Sequence, residues 1–154
     1  MPKITPFLWF DKNAEEAVDF YLSVFPNSRR TNELRAGEAG PGPKGSIITI
    51  GFELDGQPFT ALNGGPTENS TFNEAVSFFV HCKDQAEIDS YWSNLLEGGG
   101  AEIACGWLKD RFGVRWQIVP ERIMDLVGHP KAMRAMMTMK KLDIAALQAA
   151  AKES

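Results

Sequence analysis

Apolar and polar positions along this chain fall into two successive rounds of the same alternation. Ile4 to Phe10 is a short apolar run rich in aromatics, and Pro6 within it marks a strand start or sheet edge, because proline cannot donate to a ladder. The period then changes from two to 3.6. Ala14, Ala17, Val18, Tyr21, Val24 and Phe25 form one helical stripe, with Asn13 predicted as its N-cap and Glu16 three residues on, as in a capping box. Pro26 stops this helix, since the residue before a proline avoids the helical region. Arg29 to Arg35 has polar strand character. The segment from Gly37 to Gly45 holds four glycines and two prolines and predicts a mobile loop. Ser46 to Leu54 and Gln57 to Asn63 read as strands joined by a hairpin turn at Asp55-Gly56, and a further loop runs from Gly64 to about Asn73.

The pattern then restarts. Val76 to Cys82 is an apolar strand, Asp84 is a predicted cap with Glu87 three residues on, and Ile88, Tyr91, Trp92, Leu95 and Leu96 make a second helical stripe ended by Gly98 to Gly100. Ala101 to Ile103 and Cys105 to Lys109 read as short strands, Asp110 to Gly113 as a tight turn, and Val114 to Val119 as a strand closed by Pro120. Phe7 and Phe78, Asn13 and Asp84, and Phe25 and Leu96 are each 71 positions apart, so strand, helix and three strands occur twice. Beyond Pro120 the pattern is helical: Arg122 to Val127, a Gly128-His129-Pro130 break, a stretch carrying Met133, Met136, Met137 and Met139, and an alanine-rich helix opened by Asp143. Methionines at this spacing are expected to face a core or a partner subunit, because flexible thioethers fill irregular apolar gaps.

With 154 residues, 44% of them hydrophobic, the chain suits one compact domain with a sizeable core. A formal charge of -4 and scattered Lys and Arg supply no basic field, so nucleic acid is not an expected partner. No apolar run approaches the roughly 18 residues that span a bilayer. The expectation is therefore a cytoplasmic protein without membrane contact. Cys82 and Cys105 lie far apart and outside any CxxC spacing, and are read as free thiols.

Two segments carry a family resemblance: Asn13-Ala14-Glu15-Glu16-Ala17 through Phe20-Tyr21, and Asp110-Arg111-Phe112-Gly113-Val114-Arg115-Trp116-Gln117-Ile118. Together with Met139 to Leu147 they resemble the PhnB-like branch of the vicinal-oxygen-chelate superfamily, the class of glyoxalases and bleomycin-resistance proteins. The resemblance implies an α+β fold in which two paired βαβββ modules make an incompletely closed eight-stranded mixed sheet, followed here by a C-terminal helical extension. One glyoxalase-like domain over 1–154 is expected, with module one at about 1–70, module two at about 71–121 and the extension at about 122–154. A homodimer is implied as well.

Members of the wider superfamily hold a divalent metal through His and Glu and use it as a Lewis acid. Carried onto this chain, the first ligand position falls near Pro6 or Phe7 and the second near Val76 or Ser77, neither of which offers an imidazole. The last falls on Gln117, whose neutral amide is a poor substitute for a carboxylate. No metal and no cofactor are therefore expected. Sequences of this branch also carry the label 3-demethylubiquinone-9 3-methyltransferase. A Rossmann-type methyltransferase needs a glycine-rich turn after its first strand, and Phe10-Asp11-Lys12-Asn13 has none.

Two functional classes remain side by side. In the first, an aromatic-lined pocket binds an unknown small molecule, with Trp9, Phe79, Trp107, Asn63, Ser77, His81, Cys105, Arg115 and Gln117 as its candidate residues. Strand alternation places Arg115 and Gln117 on one face and Trp116 on the other, under a helix. His81, near the end of its strand, is more often a structural residue than a functional one. In the second class the chain is an enzyme, a metal-dependent lyase or dioxygenase or, by label alone, a methyltransferase. No paired carboxylates fall on one strand face, and Cys105 has no base near it in sequence.

Overall fold

The computed structural model describes residues 2–68 and 71–153. The chain forms two compact units, Met1–Ser70 and Thr71–Ser154. The end of the loop expected between Gly64 and Asn73, and with it the junction of the two modules, includes 69 and 70, which lie outside the described residues.

In the first unit, β1 (Phe7–Phe10), α1 (Ala14–Val24), β2 (Ser28–Arg35), β3 (Ile47–Leu54) and β4 (Gln57–Asn63) build a mixed sheet in the order β1-β4-β3-β2, with β1 parallel to β4. In the second, β5 (Phe78–Cys82), α2 (Gln85–Leu96), β6 (Ala101–Glu102), β7 (Trp107–Lys109) and β8 (Arg115–Pro120) repeat that arrangement as β5-β8-β7-β6, again with the first and last strands parallel. The fold is thus two four-stranded mixed sheets with helices, neither closed into a barrel.

Each sheet buries one face under its helix. In the first unit Leu8, Phe10, Ile50, Phe52, Phe59 and Ala61 meet Ala14, Ala17, Val18 and Tyr21 of α1, all of them buried. Tyr21 stacks on Phe52 at 6.3 Å and Phe52 on Phe59 at 5.4 Å between ring centroids. In the second unit Leu108, Trp116 and Ile118 pack with Ile88, Trp92 and Leu95, and Phe78 tilts against Trp116 at 5.4 Å. Each of the larger of these side chains contributes about 1.5–3 kcal/mol of apolar burial, which is why the helix stripes read from the sequence recur as buried faces.

The C-terminal extension forms three short helices, α3 (Ile123–Val127), α4 (Pro130–Met137) and α5 (Ile144–Ala151). Val119, Ile123, Leu142 and Leu147 make their common core, with Met136 and Met139 packed against it. Met124, Met133 and Met137 instead stay exposed. Gln85, at the start of α2, clamps the extension by donating to the Leu142 carbonyl at 2.9 Å and accepting from Ile144 N–H at 2.8 Å. His129 caps α4 through Nδ1, which accepts from Lys131 N–H at 3.2 Å.

Several expectations need correction. β1 is shorter than the apolar run because Pro6, lacking an N–H, stays outside it, although its carbonyl accepts from Thr60 N–H at 2.9 Å. β5 begins at Phe78, leaving Val76 and Ser77 before the strand, and β6 and β7 cover only part of the predicted segments. Cys105 lies in the turn between them at φ 56°, with its N–H donating to the Met139 carbonyl. The predicted cap of α1 also fails. Asn13, at φ -114° and ψ 28°, makes no side-chain capping bond, and Asn63 at the end of β4 accepts from Ala14 N–H at 2.9 Å instead. Asp84 does cap α2, accepting from Glu87 N–H at 2.9 Å.

The spacing of the repeat shifts by one residue in the first strand. Phe7 and Phe78 are 71 apart, but Phe7 is 59% exposed while Phe78 packs on buried Trp116. The matching pair is Phe10 and Cys82, 72 apart: Phe10 O accepts from Gly64 N–H and Cys82 O from Glu121 N–H, each at 2.8 Å. Three residues separate β1 from α1, but only two separate β5 from α2. A slip of one residue moves a strand's side chains to the opposite face.

Candidate ligand-binding face

On the side of the second sheet away from α2, alternation brings together side chains from three strands. Phe79 of β5 pairs in register with Gln117 of β8, which pairs in turn with Trp107 of β7. These three form one row across the sheet, with cross-strand neighbours close enough to touch. Phe79 is 42% exposed, and the His81 ring lies 4.8 Å from it. Gln117 Nε2 donates to Ser77 Oγ at 2.9 Å.

Arg115, next to Gln117 on this face, is tied down. Its side chain is 14% exposed, Nε donates to Glu74 at 2.7 Å, and Nη1 donates to the Phe72 and Gly113 carbonyls. The hydrogen bond from Arg115 holds the Glu74 carboxyl below its ordinary range. Six of the nine sequence-derived candidates, Ser77, Phe79, His81, Trp107, Arg115 and Gln117, therefore occupy or border one face. Cys105 lies in the turn preceding Trp107.

The remaining two belong to the first unit. Trp9, 44% exposed, lies on the open face of the first sheet and donates from Nε1 to the Gly65 carbonyl at 3.0 Å. Asn63 lies on the helix side, with both ends of its amide engaged: Oδ1 caps α1, and Nδ2 donates to the Ile47 carbonyl. It lines a cleft of about 720 Å³ together with Asp11, Lys12, Arg35, Ser46 and Ile47. Sequence reasoning missed this cleft because it forms where the Gly/Pro-rich segment folds back through paired Ala36–Ser46 and Gly45–Ala36 backbone bonds. Of the polar groups lining it, Arg35 is engaged by Glu33 and the Gly45 carbonyl, Glu15 by Arg30, and Ser46 by the Pro43 carbonyl, whereas Asp11 and Lys12 face solvent. No aromatic side chain lines the cleft, whereas the face of the second sheet sets Phe79 and Trp107 beside the Gln117 amide and so offers stacking surface that the larger cleft lacks.

The one buried charge among the described residues is structural. Asp110, 1% exposed, accepts from Phe112 N–H at 2.9 Å, Val114 N–H at 3.1 Å and Trp116 Nε1 at 2.9 Å, and so locks the β7–β8 turn from which Arg115 and Gln117 project.

A family model described as 3-demethylubiquinone-9 3-methyltransferase matches residues 2–119. The chain belongs to this family. It is 38% identical to a PhnB protein from Bacillus cereus, provisionally named a 3-demethylubiquinone-9 3-methyltransferase, over 75% of this chain and 97% of that one, with a TM-score of 0.68. A Pseudomonas aeruginosa protein shares the fold at 23% identity and a TM-score of 0.61, covering 75% of this chain and 95% of that one. So does YycE from Bacillus subtilis, of unknown function with a provisional glyoxalase/fosfomycin-resistance assignment, at 18% identity and a TM-score of 0.52, over 73% of this chain and 85% of that one. No curated protein is significantly similar to the chain. The PhnB-like reading of the sequence therefore stands, and the glyoxalase-like reading stands for the fold.

The donor set does not fit the divalent metal of the wider superfamily. Ser77 and Gln117, at two of the expected ligand positions, are neutral and bonded to each other. Among the described residues no three His, Cys, Asp or Glu side chains converge to hold a metal ion. The family label fits no better to a nucleotide-derived methyl donor, since β1 leads into α1 through Asp11, Lys12 and Asn13 without a glycine turn. Among the described residues no helix is long and apolar enough to cross a membrane.

Proposed function

We propose that this protein binds a small planar organic molecule against the aromatic face of its second sheet, without a metal. The observation that carries this reading is the row Phe79–Gln117–Trp107, in which a half-buried amide stands between two aromatic side chains. Aromatic surface supplies contact area at low entropic cost, and a few fixed polar groups supply orientation. Ser77, His81 and Arg115 border the row. Cys105 flanks the row from the turn before Trp107, and Trp9 and Asn63, which belong to the first unit, are left out of the proposal.

The protein is further proposed to be a cytoplasmic homodimer. The exposed Met124, Met133 and Met137 of the extension support self-association, and the free thiols Cys82 and Cys105 suit a reducing compartment.

Titrating naphthalene-sized aromatic compounds while following tryptophan fluorescence and thermal unfolding tests the binding reading. Saturable quenching with a rise in Tm is expected, and Trp107→Ala is expected to weaken both at least tenfold. Equal binding by Trp107→Ala would move the site elsewhere. Mn²⁺, Fe²⁺, Co²⁺, Ni²⁺ and Zn²⁺ are expected to leave the Tm of chelator-treated protein unchanged, whereas a hundredfold excess over Kd of a tight ligand would add about 2.7 kcal/mol. A saturable rise with any of these metals would overturn the metal-free part.

A further inference from the structure

Resting on the binding reading above, we propose that Gln117 selects the ligand: the bound molecule is a neutral planar ring carrying a hydrogen-bond donor, such as a phenolic O–H, that Gln117 Oε1 accepts. The argument starts from how the carboxamide is held. Gln117 Nε2 is committed to Ser77 Oγ at 2.9 Å, which fixes the plane of the amide, and Oε1 has no partner among the described residues. Phe79 and Trp107 are its register neighbours on either side, so a ring lying on these two aromatics brings its polar edge over Gln117. That oxygen is open to solvent, and a ligand O–H or N–H lying on the two rings can take the place of water on it.

The charges around the row argue against an anionic ligand. Arg115, the nearest cation in sequence on this face, is neutralised by Glu74, and one of its terminal nitrogens is occupied by two backbone carbonyls. Lys109, two residues beyond Trp107 on the same face and in register with Arg115, is exposed to solvent, where an ion pair is worth at most about 1 kcal/mol. An ionised carboxylate on this face would exchange water for two aromatic rings and a neutral amide, which is unfavourable. Ser77 acts here as a positioning residue, since it meets the ligand through the orientation it imposes on Gln117.

The test compares three probes that differ at a single substituent: 2-naphthol, 2-methoxynaphthalene and 2-naphthoate, titrated at neutral pH into the full chain. The wild-type protein is expected to bind the naphthol about tenfold tighter than its methyl ether, and the naphthoate most weakly. Gln117→Leu is expected to keep the affinity for the ether, which shows an intact fold and face, and to lose the preference for the naphthol. Ser77→Ala is expected to reduce that preference and Ser77→Thr, which retains the hydroxyl, to restore it. Equal binding of naphthol and ether by the wild type, tightest binding of the naphthoate, or an undiminished preference in Gln117→Leu would each overturn the assignment while leaving the binding face in place. Failure of all three probes to bind the wild type would overturn the binding reading itself, and this inference with it.

Discussion

The two sheets share strand order and parallel pairing, yet equivalent rows across them are filled differently. In the first unit the row is Phe7–Thr60–Gly51, and in the second it is Phe79–Gln117–Trp107. Gly51 has no side chain to offer: a Cβ there would meet Thr31 and Asn32 of the neighbouring strand at 2.6–2.8 Å. The first sheet thus closes its row with side chains of its own long β2, whereas the second has only a two-residue β6 beyond β7 and leaves Trp107 to end the row. One architecture therefore gives a sheet that closes its own row in one unit and a row left open at Trp107 in the other.

The helix ends differ for a related reason. Asn63 and Pro120 are equivalent residues, each in register with the last residue of the unit's first strand. In the first unit the longer β1–α1 turn leaves Asn13 out of capping geometry, and Asn63 reaches across to do that work. Proline has no such side chain, but the shorter turn of the second unit places Asp84 in extended geometry, φ -153° and ψ 177°, where it caps its own helix.

The comparison can be broken most forcefully at the turn that presents Gln117. Asp110→Ala is expected to cost about 3–5 kcal/mol in chemical denaturation, because it strands buried donors that the carboxylate accepts. A loss below about 1 kcal/mol would show that the turn holds without it. Gly64→Ala comes next, at about 1–3 kcal/mol, since a Cβ there would collide with the Trp9 indole. The equivalent Glu121 is exposed and is expected to accept alanine within about 0.5 kcal/mol in the same assay.

Capping gives a smaller effect with a sharper contrast. Asn63→Ala is expected to cost about 1–2 kcal/mol and Asp84→Ala about 1, while Asn13→Ala stays within about 0.5. Equal losses for Asn13→Ala and Asn63→Ala would refute the exchange of caps.

The last contrast separates the units by pH and is silent at neutral pH. Burial, with help from Glu87, pushes the Cys82 thiol up to about 12 from an ordinary value of 9.0. A neutral thiol is therefore favoured in the folded state. The stability it confers is fully present below about pH 9 and declines as pH rises from there toward 12, where the unfolded chain alone gains thiolate. Cys82→Ala is expected to flatten that part of the stability–pH curve. Its equivalent, Phe10, cannot titrate.

Much of this arrangement was legible in the sequence. Both helix stripes, the Asp55-Gly56 hairpin, the Asp110–Gly113 turn, and the split of Arg115 and Gln117 from Trp116 follow from periods of 3.6 and two, which a linear pattern displays directly. The motif around Asp110-Arg111-Phe112-Gly113 was equally visible, though the triple role of the Asp110 carboxylate was not. Contacts between residues distant in sequence were hidden, such as Asn63 on Ala14, Gln85 on the extension, and Ser77 on Gln117, 40 residues away.

The chain's own order of apolar and polar residues was enough to determine the two βαβββ rounds, the helical extension and the family, because local periodicity and turn chemistry are written in neighbouring positions. Only the tertiary structure decided which face each strand presents, which side chain caps α1, and which polar atoms remain unengaged beside Trp107. Those outcomes depend on strand register, and a difference of one residue in the β1–α1 turn is enough to reverse a face without disturbing the hydrophobic pattern by which the sequence is read.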